Sequence, residues 1–289
     1  MSAATSVTTL CPSLPGGDNA GGIYPAKGGA FVEDWSTGNL VFCSGGTSKT
    51  IAMPPAGGAS NGYWGMAGIQ TTPTTLGLLL LLISSSLQGF WLCGRATSAG
   101  CGLSGSVFIT LPASFCSSEP THTCDPRGVA LDNSLNVYYV DGNNAKLVEC
   151  TYTSNYQTCS NLPASSALSG HVPEGLVLKG TSFYISDGGC SGKVWKGTKS
   201  SLSVIASKGE DLSSIALSAK NPTKTTHVYV GYAGGDCTTN PTKILDLTDR
   251  KVVFSQPFQS IGFGVPGLDS NLQFTIYSPG AAYQASDTS

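Results

Sequence analysis

An internal repeat constrains this chain more than any other feature. Residues 126–150 read PRGVALDNSLNVYYVDGNNAKLVEC, and residues 173–197 read PEGLVLKGTSFYISDGGCSGKVWKG. They align with one deletion: Pro126 on Pro173, Gly128 on Gly175, Leu131 on Leu178 and Asp141 on Asp187. The offset is 47 residues at the start and 46 at the end. A period of this size marks an architecture of stacked supersecondary units, each unable to bury its apolar face alone. Each unit opens with a Gly-containing apolar strand, turns into an aromatic-rich strand, and continues into a third and often a fourth. That is the four-stranded blade of a propeller.

Six such units are legible, at approximately 27–58, 59–112, 126–163, 173–207, 210–257 and 259–289. The first opens at Gly28–Val32. In the second, Leu76–Ile83 (LGLLLLLI) is too short to span a bilayer and reads as a buried strand. The sixth runs out of chain, since AAYQAS supplies one strand at most. The strand-like Ser6–Cys11 is left over at the other end. Paired into the last blade, it would close the ring and remove an exposed edge. The expected fold is therefore all-β: a six-bladed β-propeller of four-stranded blades in one domain, residues 1–289, with the last blade closed by the N-terminal strand. An open pair of β-sandwich sheets is the structural alternative.

Composition narrows the partners. Only 11% of residues are charged, against about 25% in an average soluble domain. The net charge is −2, with no basic stripe, so the footprint of a nucleic-acid binder is missing. No apolar run is long enough for a membrane span. Ten cysteines with no C-x-x-C pair, and only three histidines, point to disulfides rather than zinc fingers. Cys93 with Cys101 and Cys150 with Cys159 flank matching turns in the second and third units. Cys116 and Cys124 bracket the loop entering the third. Cys190 and Cys237 occupy equivalent turns in the fourth and fifth units, and Cys11 with Cys43 would tie the N-terminal strand to the first. Dense disulfides imply a secreted, extracellular protein, although the opening MSAATSVTTL has no signal-peptide character. No Asn-x-Ser/Thr sequon occurs, so any glycan would be O-linked to the abundant Ser and Thr.

The stretch GVALD–NVYYVD–NNAKLV resembles an NHL-type repeat, best in the third and fourth units. The resemblance implies a six-bladed propeller of the superfamily that includes gluconolactonase-like and strictosidine-synthase-like proteins. It implies a fold more than a chemistry. Residues just before the innermost strands ring the central channel of such a fold; here they are Lys27, Trp64, Arg127, Glu174, Ser213 and Ser260. The lactonase-like members hold calcium there with carboxylate and amide oxygens, and calcium wants six to eight oxygens. Two cations in this ring disfavour such an ion, and Glu174 is expected to pair with Arg127. No cofactor is expected, with channel calcium as the alternative.

Glu174 and His171 are the candidates for acid–base chemistry, with His171 as a general base oriented by Glu174. The plainer reading of His171 is a loop histidine without a role. In so serine-rich a chain a Ser–His–Asp triad stays open. Asp141 and Asp187, at the ends of second strands, read as turn caps. Trp35, Trp64, Trp91 and Trp195 fall in or beside strands and read as core between blades, with Tyr63 and Trp64 the best candidates for an exposed sugar-stacking pair. Three functions follow. The leading one is a secreted structural or interaction propeller in an extracellular assembly (a fibril, cell-wall or surface appendage), binding itself or other extracellular proteins. Low charge favours it, because self-repulsion is weak. The others are a lectin-like glycan binder and a lactonase-like or synthase-like enzyme using the channel.

Overall fold

The computed structural model describes residues 7–17, 20–26, 28–34, 36–51, 63–72, 75–83, 89–94, 96–97, 100–101, 106–217, 227–232, 242–256, 261–263, 272–276 and 281–285, with only the backbone for part of the second, fifth and last sheets. The chain is an all-β propeller with few helices. Strand β1 (Val7–Cys11) comes first. A four-stranded sheet then joins β2 (Ala20–Ala26), β3 (Gly29–Asp34), β4 (Asn39–Ser44) and β5 (Thr47–Ile51). The second sheet has β6 (Tyr63–Thr72), β7 (Thr75–Ile83), β8 (Gly89–Gly94) and, after the small β9–β10 hairpin (Ala96–Thr97, Gly100–Cys101), β11 (Ser106–Thr110). Helix α1 (Ala113–Ser118) leads into the third, β12 (Pro126–Leu131), β13 (Val137–Asp141), β14 (Lys146–Cys150) and β15 (Cys159–Asn161). The fourth is β16 (Pro173–Lys179), β17 (Ser182–Asp187), β18 (Lys193–Gly197) and β19 (Leu202–Ser207). The fifth is β20 (Ser214–Leu217), β21 (Val228–Tyr232), β22 (Thr242–Asp246) and β23 (Lys251–Gln256). The last contains β24 (Ile261–Phe263), β25 (Leu272–Ile276) and β26 (Ala281–Ala285), with β1 antiparallel to β26, Val7 opposite Ala285.

Every pairing is antiparallel, and all but two join strands adjacent in the chain: β8 pairs with β11 across the β9–β10 hairpin, and β1 pairs with β26. The first strands of neighbouring sheets pack in sequence: β2 on β6, β6 on β12, β12 on β16, β16 on β20, β20 on β24, and β24 back on β2. Among the described side chains, each apolar cluster is shared between neighbouring sheets. Tyr24, Phe31 and Leu40 meet Met66 and Trp91 across the first and second sheets. Phe90 and Ile109 meet Val137, Tyr139 and Val148 across the second and third. Tyr138 and Leu147 meet Phe183 and Trp195 across the third and fourth. Leu10, Leu14 and Ala282 meet Ile23, Val32 and Val41 where the last sheet adjoins the first.

Besides the short β9–β10 hairpin, one blade strand was not legible. The sequence opens its first unit at Gly28–Val32, but the innermost strand is β2, upstream, and residues 29–34 form the second strand. Two adjacent glycines and Pro25 disguise β2 as a loop. Proline is tolerated there because β2 is an edge of its sheet, where one side of the strand makes no ladder hydrogen bonds. The same rule lets Pro126 and Pro173 open β12 and β16. Helix α1 and the 3-10 turns at Tyr152–Ser154 and Pro163–Leu168 are likewise additions to the expected strands.

Among the described residues three disulfides have both cysteines in place: Cys11–Cys43, Cys116–Cys124 and Cys150–Cys159. The first ties β1 to β4. The third joins directly opposed residues of β14 and β15. Cys93 and Cys190 are also disulfide-bonded. Their expected partners, the Cys101 side chain and Cys237, lie outside the described residues. Among the described residues, no helix is long and apolar enough to cross a membrane.

Candidate functional site at the mouth of the channel

The inner strands do not run straight into their ladders. Register shifts fall between Ala20 and Ile23, Tyr63 and Gly65, Pro126 and Val129, and Pro173 and Gly175. A bulge inserts extra backbone and re-aims a side chain. Trp64, Arg127 and Glu174 all sit within these bulges, at the same point of neighbouring sheets. In the first sheet the place is taken by Gly21 and Gly22, and Gly22 N–H donates to buried Glu33 Oε2 at 2.7 Å. Lys27 and Ser260 lie outside the described residues, and so does the side chain of Trp64. Ser213 precedes β20, its hydroxyl buried beside Asp211 and Leu212.

Arg127 and Glu174 meet across two sheets. Arg127 Nη1 donates to Glu174 Oε1, while its Nε donates to Asp125 Oδ2 at 2.9 Å. The side chains of all three are 16–18% exposed. Burial outweighs the guanidinium and pushes the Glu174 carboxyl up to about 6, helped by the nearby Asp125 and Asp187 charges. Room for the pair comes from the turns after β13 and β17. A Cβ on Gly142 would collide with the Arg127 side chain, and one on Gly188 with that of Glu174. Each glycine follows an aspartate that shapes the turn. Asp141 Oδ1 accepts from Asn144 N–H at 3.0 Å, and Asp187 Oδ1 accepts from Gly189 N–H at 3.0 Å. The D-G dipeptides at 141–142 and 187–188 thus combine a turn cap with clearance for a channel side chain.

His171 belongs to a different grouping from the expected one. Its Nδ1 lies 3.1 Å from Asp187 Oδ2 and 3.1 Å from Ser191 Oγ, and Lys193 Nζ is 3.0 Å from its Nε2. An ammonium can only donate, so Nε2 is the acceptor and Nδ1 carries the proton toward Asp187. The ring stands edge-on to buried Trp195 at 5.1 Å. Asp187, not Glu174, orients His171. Ser191 also donates to Asp187 Oδ2. A working triad needs serine on one ring nitrogen and aspartate on the other. Here both share Nδ1, and lysine occupies Nε2, so Ser191 has no base. The one G-x-S-x-G pattern, Gly58–Gly62, lies outside the described residues.

Asp125, Ser191 and Lys193 were not singled out from the sequence. The available signal was positional: Asp125 stands two residues before Arg127, and Lys193 opens the third strand, whose start lies at the same end as the start of the first. Among the described ring residues a calcium ion is disfavoured: Arg127 is itself a cation there and donates to the carboxylates of both Asp125 and Glu174. Trp91 and Trp195 are buried in the cores between sheets; Trp35 lies outside the described residues.

No protein-family model and no curated protein matches the chain. Solved structures match its fold. A gluconolactonase-like protein superposes with a TM-score of 0.61 at 12% identity, covering 100% of this chain and 94% of the other. Virginiamycin B lyase from Staphylococcus aureus gives 0.58 at 11%, covering 98% and 99%. The aldose sugar dehydrogenase of Streptomyces coelicolor, solved with PQQ bound, gives 0.62 at 11%, covering 98% of both chains. At such identities the likeness is one of architecture: this chain is folded like these propellers.

Proposed function

We propose that the protein is an extracellular interaction propeller, a closed ring of six blades whose last sheet is completed by β1, and that it associates with further copies through its rim. The observation that carries this reading is the outer strand of the fourth sheet. β19 (LSVIAS) has no charged residue and leaves Val204 and Ile205 49% and 44% exposed. Val252 on the outer strand of the fifth sheet is 55% exposed. Outer strands offer unpaired backbone groups, and soluble proteins normally guard them with charge. The disulfides support an oxidising compartment, and the low charge of the chain leaves little repulsion between copies.

Electron microscopy of native material, without reductant, tests it. Ordered fibres or sheets of ring-shaped subunits are expected. They should disperse in Val204→Lys/Ile205→Lys while the single ring keeps its unfolding midpoint. Isolated rings at all concentrations would sink the proposal.

A second reading, a hydrolytic or lyase-type enzyme at the channel mouth, is favoured by the raised Glu174 carboxyl and by enzymes among the structural neighbours. Lactone hydrolysis abolished by Glu174→Gln would establish it. The glycan-binding reading rests on Tyr63 and Trp64, whose side chains lie outside the described residues.

A further inference from the structure

A second cluster of chemically capable side chains lies away from the channel mouth, at the opposite end of the fifth sheet. His227 immediately precedes β21, Asp246 ends β22, and Asp249 stands in the turn that leads to β23. Asp246 is fully buried. Its Oδ1 accepts from the backbone N–H groups of Thr248 at 2.9 Å and Asp249 at 3.2 Å, which shapes the turn. Its Oδ2 is thereby directed at His227 Nδ1, 2.7 Å away. Asp249 Oδ2 comes back to within 3.7 Å of the same nitrogen. The His227 ring is stacked on Tyr229 at 6.2 Å with only 18° between planes, so its orientation is set by packing. One donor atom from each of the three residues lies within 4.8 Å of the other two.

We infer that His227, Asp246 and Asp249 form a binding site for a divalent transition-metal ion of the zinc type. Zinc binds imidazole nitrogen and carboxylate oxygen at about 2.0–2.2 Å in tetrahedral sites. Ligand atoms around such an ion are therefore about 3–3.5 Å apart. Two sides of the triangle are 2.7 and 3.7 Å and the third is no longer than 4.8 Å, so the ion is admitted when His227 and Asp246 part by about 0.5 Å and the exposed Asp249 arm closes by up to about 1 Å. An imidazole with two carboxylates suits zinc, cobalt or nickel better than calcium, which needs six to eight oxygens. Asp249 is 39% exposed, so the fourth position faces solvent. Lys251 Nζ, 3.4 Å from Asp249 Oδ2, competes for that carboxylate and is itself 41% exposed, free to swing away. Bound metal would clip the start of β21 to the β22–β23 turn. The site lies at the other end of the fifth sheet from the channel mouth and shares no residue with the proposed rim contacts of Val204, Ile205 and Val252.

The test is calorimetric titration of the full, chelator-treated chain with zinc, together with the visible spectrum of the cobalt-loaded protein. One equivalent per chain and the intense d–d bands of four-coordinate cobalt are expected. Both should be lost in Asp249→Asn, a change at an exposed turn position, and in His227→Gln, and both should persist in His171→Gln. Circular dichroism establishes that each variant is folded. Absence of zinc binding by the parent chain would overturn the inference, leaving His227 and Asp246 as a hydrogen-bonded structural pair. So would zinc binding that a folded Asp249→Asn retains.

Discussion

Glu174 carries a negative charge in a place that resists it. Its carboxyl is raised from the usual 4.5 to about 6 because desolvation exceeds the help given by Arg127. The folded state therefore holds this proton more tightly than the unfolded chain does. Its contribution to stability is present below about 4.5 and is lost as pH rises through about 6. The difference in unfolding free energy between the parent chain and Glu174→Gln should thus fall between pH 4.5 and 6 when followed by urea denaturation. A difference that grows across that window would mean that Arg127 keeps the carboxylate ionised. Removing the other partner is harsher at neutral pH. Arg127→Met strands Glu174 and Asp125 together and should cost about 2–4 kcal/mol at pH 7, recovering in part at pH 5. Gly188→Ala is the quieter probe of the same contact. A Cβ there displaces the Glu174 side chain, so it should weaken the pair without touching either charge.

At the scale of elements, the strand that completes the last sheet is the one most in need of a tether. β1 is five residues long, and Val7, Thr8 and Thr9 are exposed. Cys11–Cys43 anchors it to β4 across a separation of 32 residues, whereas Cys116–Cys124 spans 8. Chain-entropy scaling assigns about 3.7 kcal/mol to the longer loop and about 2.5 to the shorter. Replacing Cys11 and Cys43 by serine should therefore lower stability more than the same change at Cys116 and Cys124, as measured by chemical denaturation of the two double variants. The outer strands carry their own device. β19 and β23 shift register at matching places, between Ala206 and Val204 and between Phe254 and Val252, leaving Ile205 and Val253 as the extra residues. Such bulges bend a strand and weaken it as a template. On the proposed rim they would restrict which partner strands fit rather than prevent pairing.

For the whole molecule, the decisive property is that no sheet owns its core. Each hydrophobic cluster is shared by two neighbours, the one containing Leu10 and Ala282 included. Stability in such an array is a sum of intrinsic and nearest-neighbour terms, and an unpaired end loses one of the latter. Deleting residues 1–11 should expose both the edge of β26 and the face of the first sheet. The truncated protein is expected to unfold over a broader temperature range and to associate non-specifically on gel filtration. A sharp, unshifted transition would show that β1 contributes little to the ring.

The amino-acid sequence alone determined the repeat, and through it the strands of the third and fourth sheets, the disulfides Cys11–Cys43, Cys116–Cys124 and Cys150–Cys159, and the facing of Arg127 toward Glu174. Those features are written in local periods, turn residues and spacings, which survive without knowledge of the neighbours. It did not determine β2, because a glycine- and proline-rich strand is stabilised by packing on β6 and β24 rather than by its own propensity. Nor did it reveal that His171 takes Asp187 as its partner, or that His227, Asp246 and Asp249 converge. Hydrogen-bond partners are chosen by where antiparallel strands begin and end in space. Residues 16 apart, as His171 and Asp187 are, become neighbours only once the sheet sets its register.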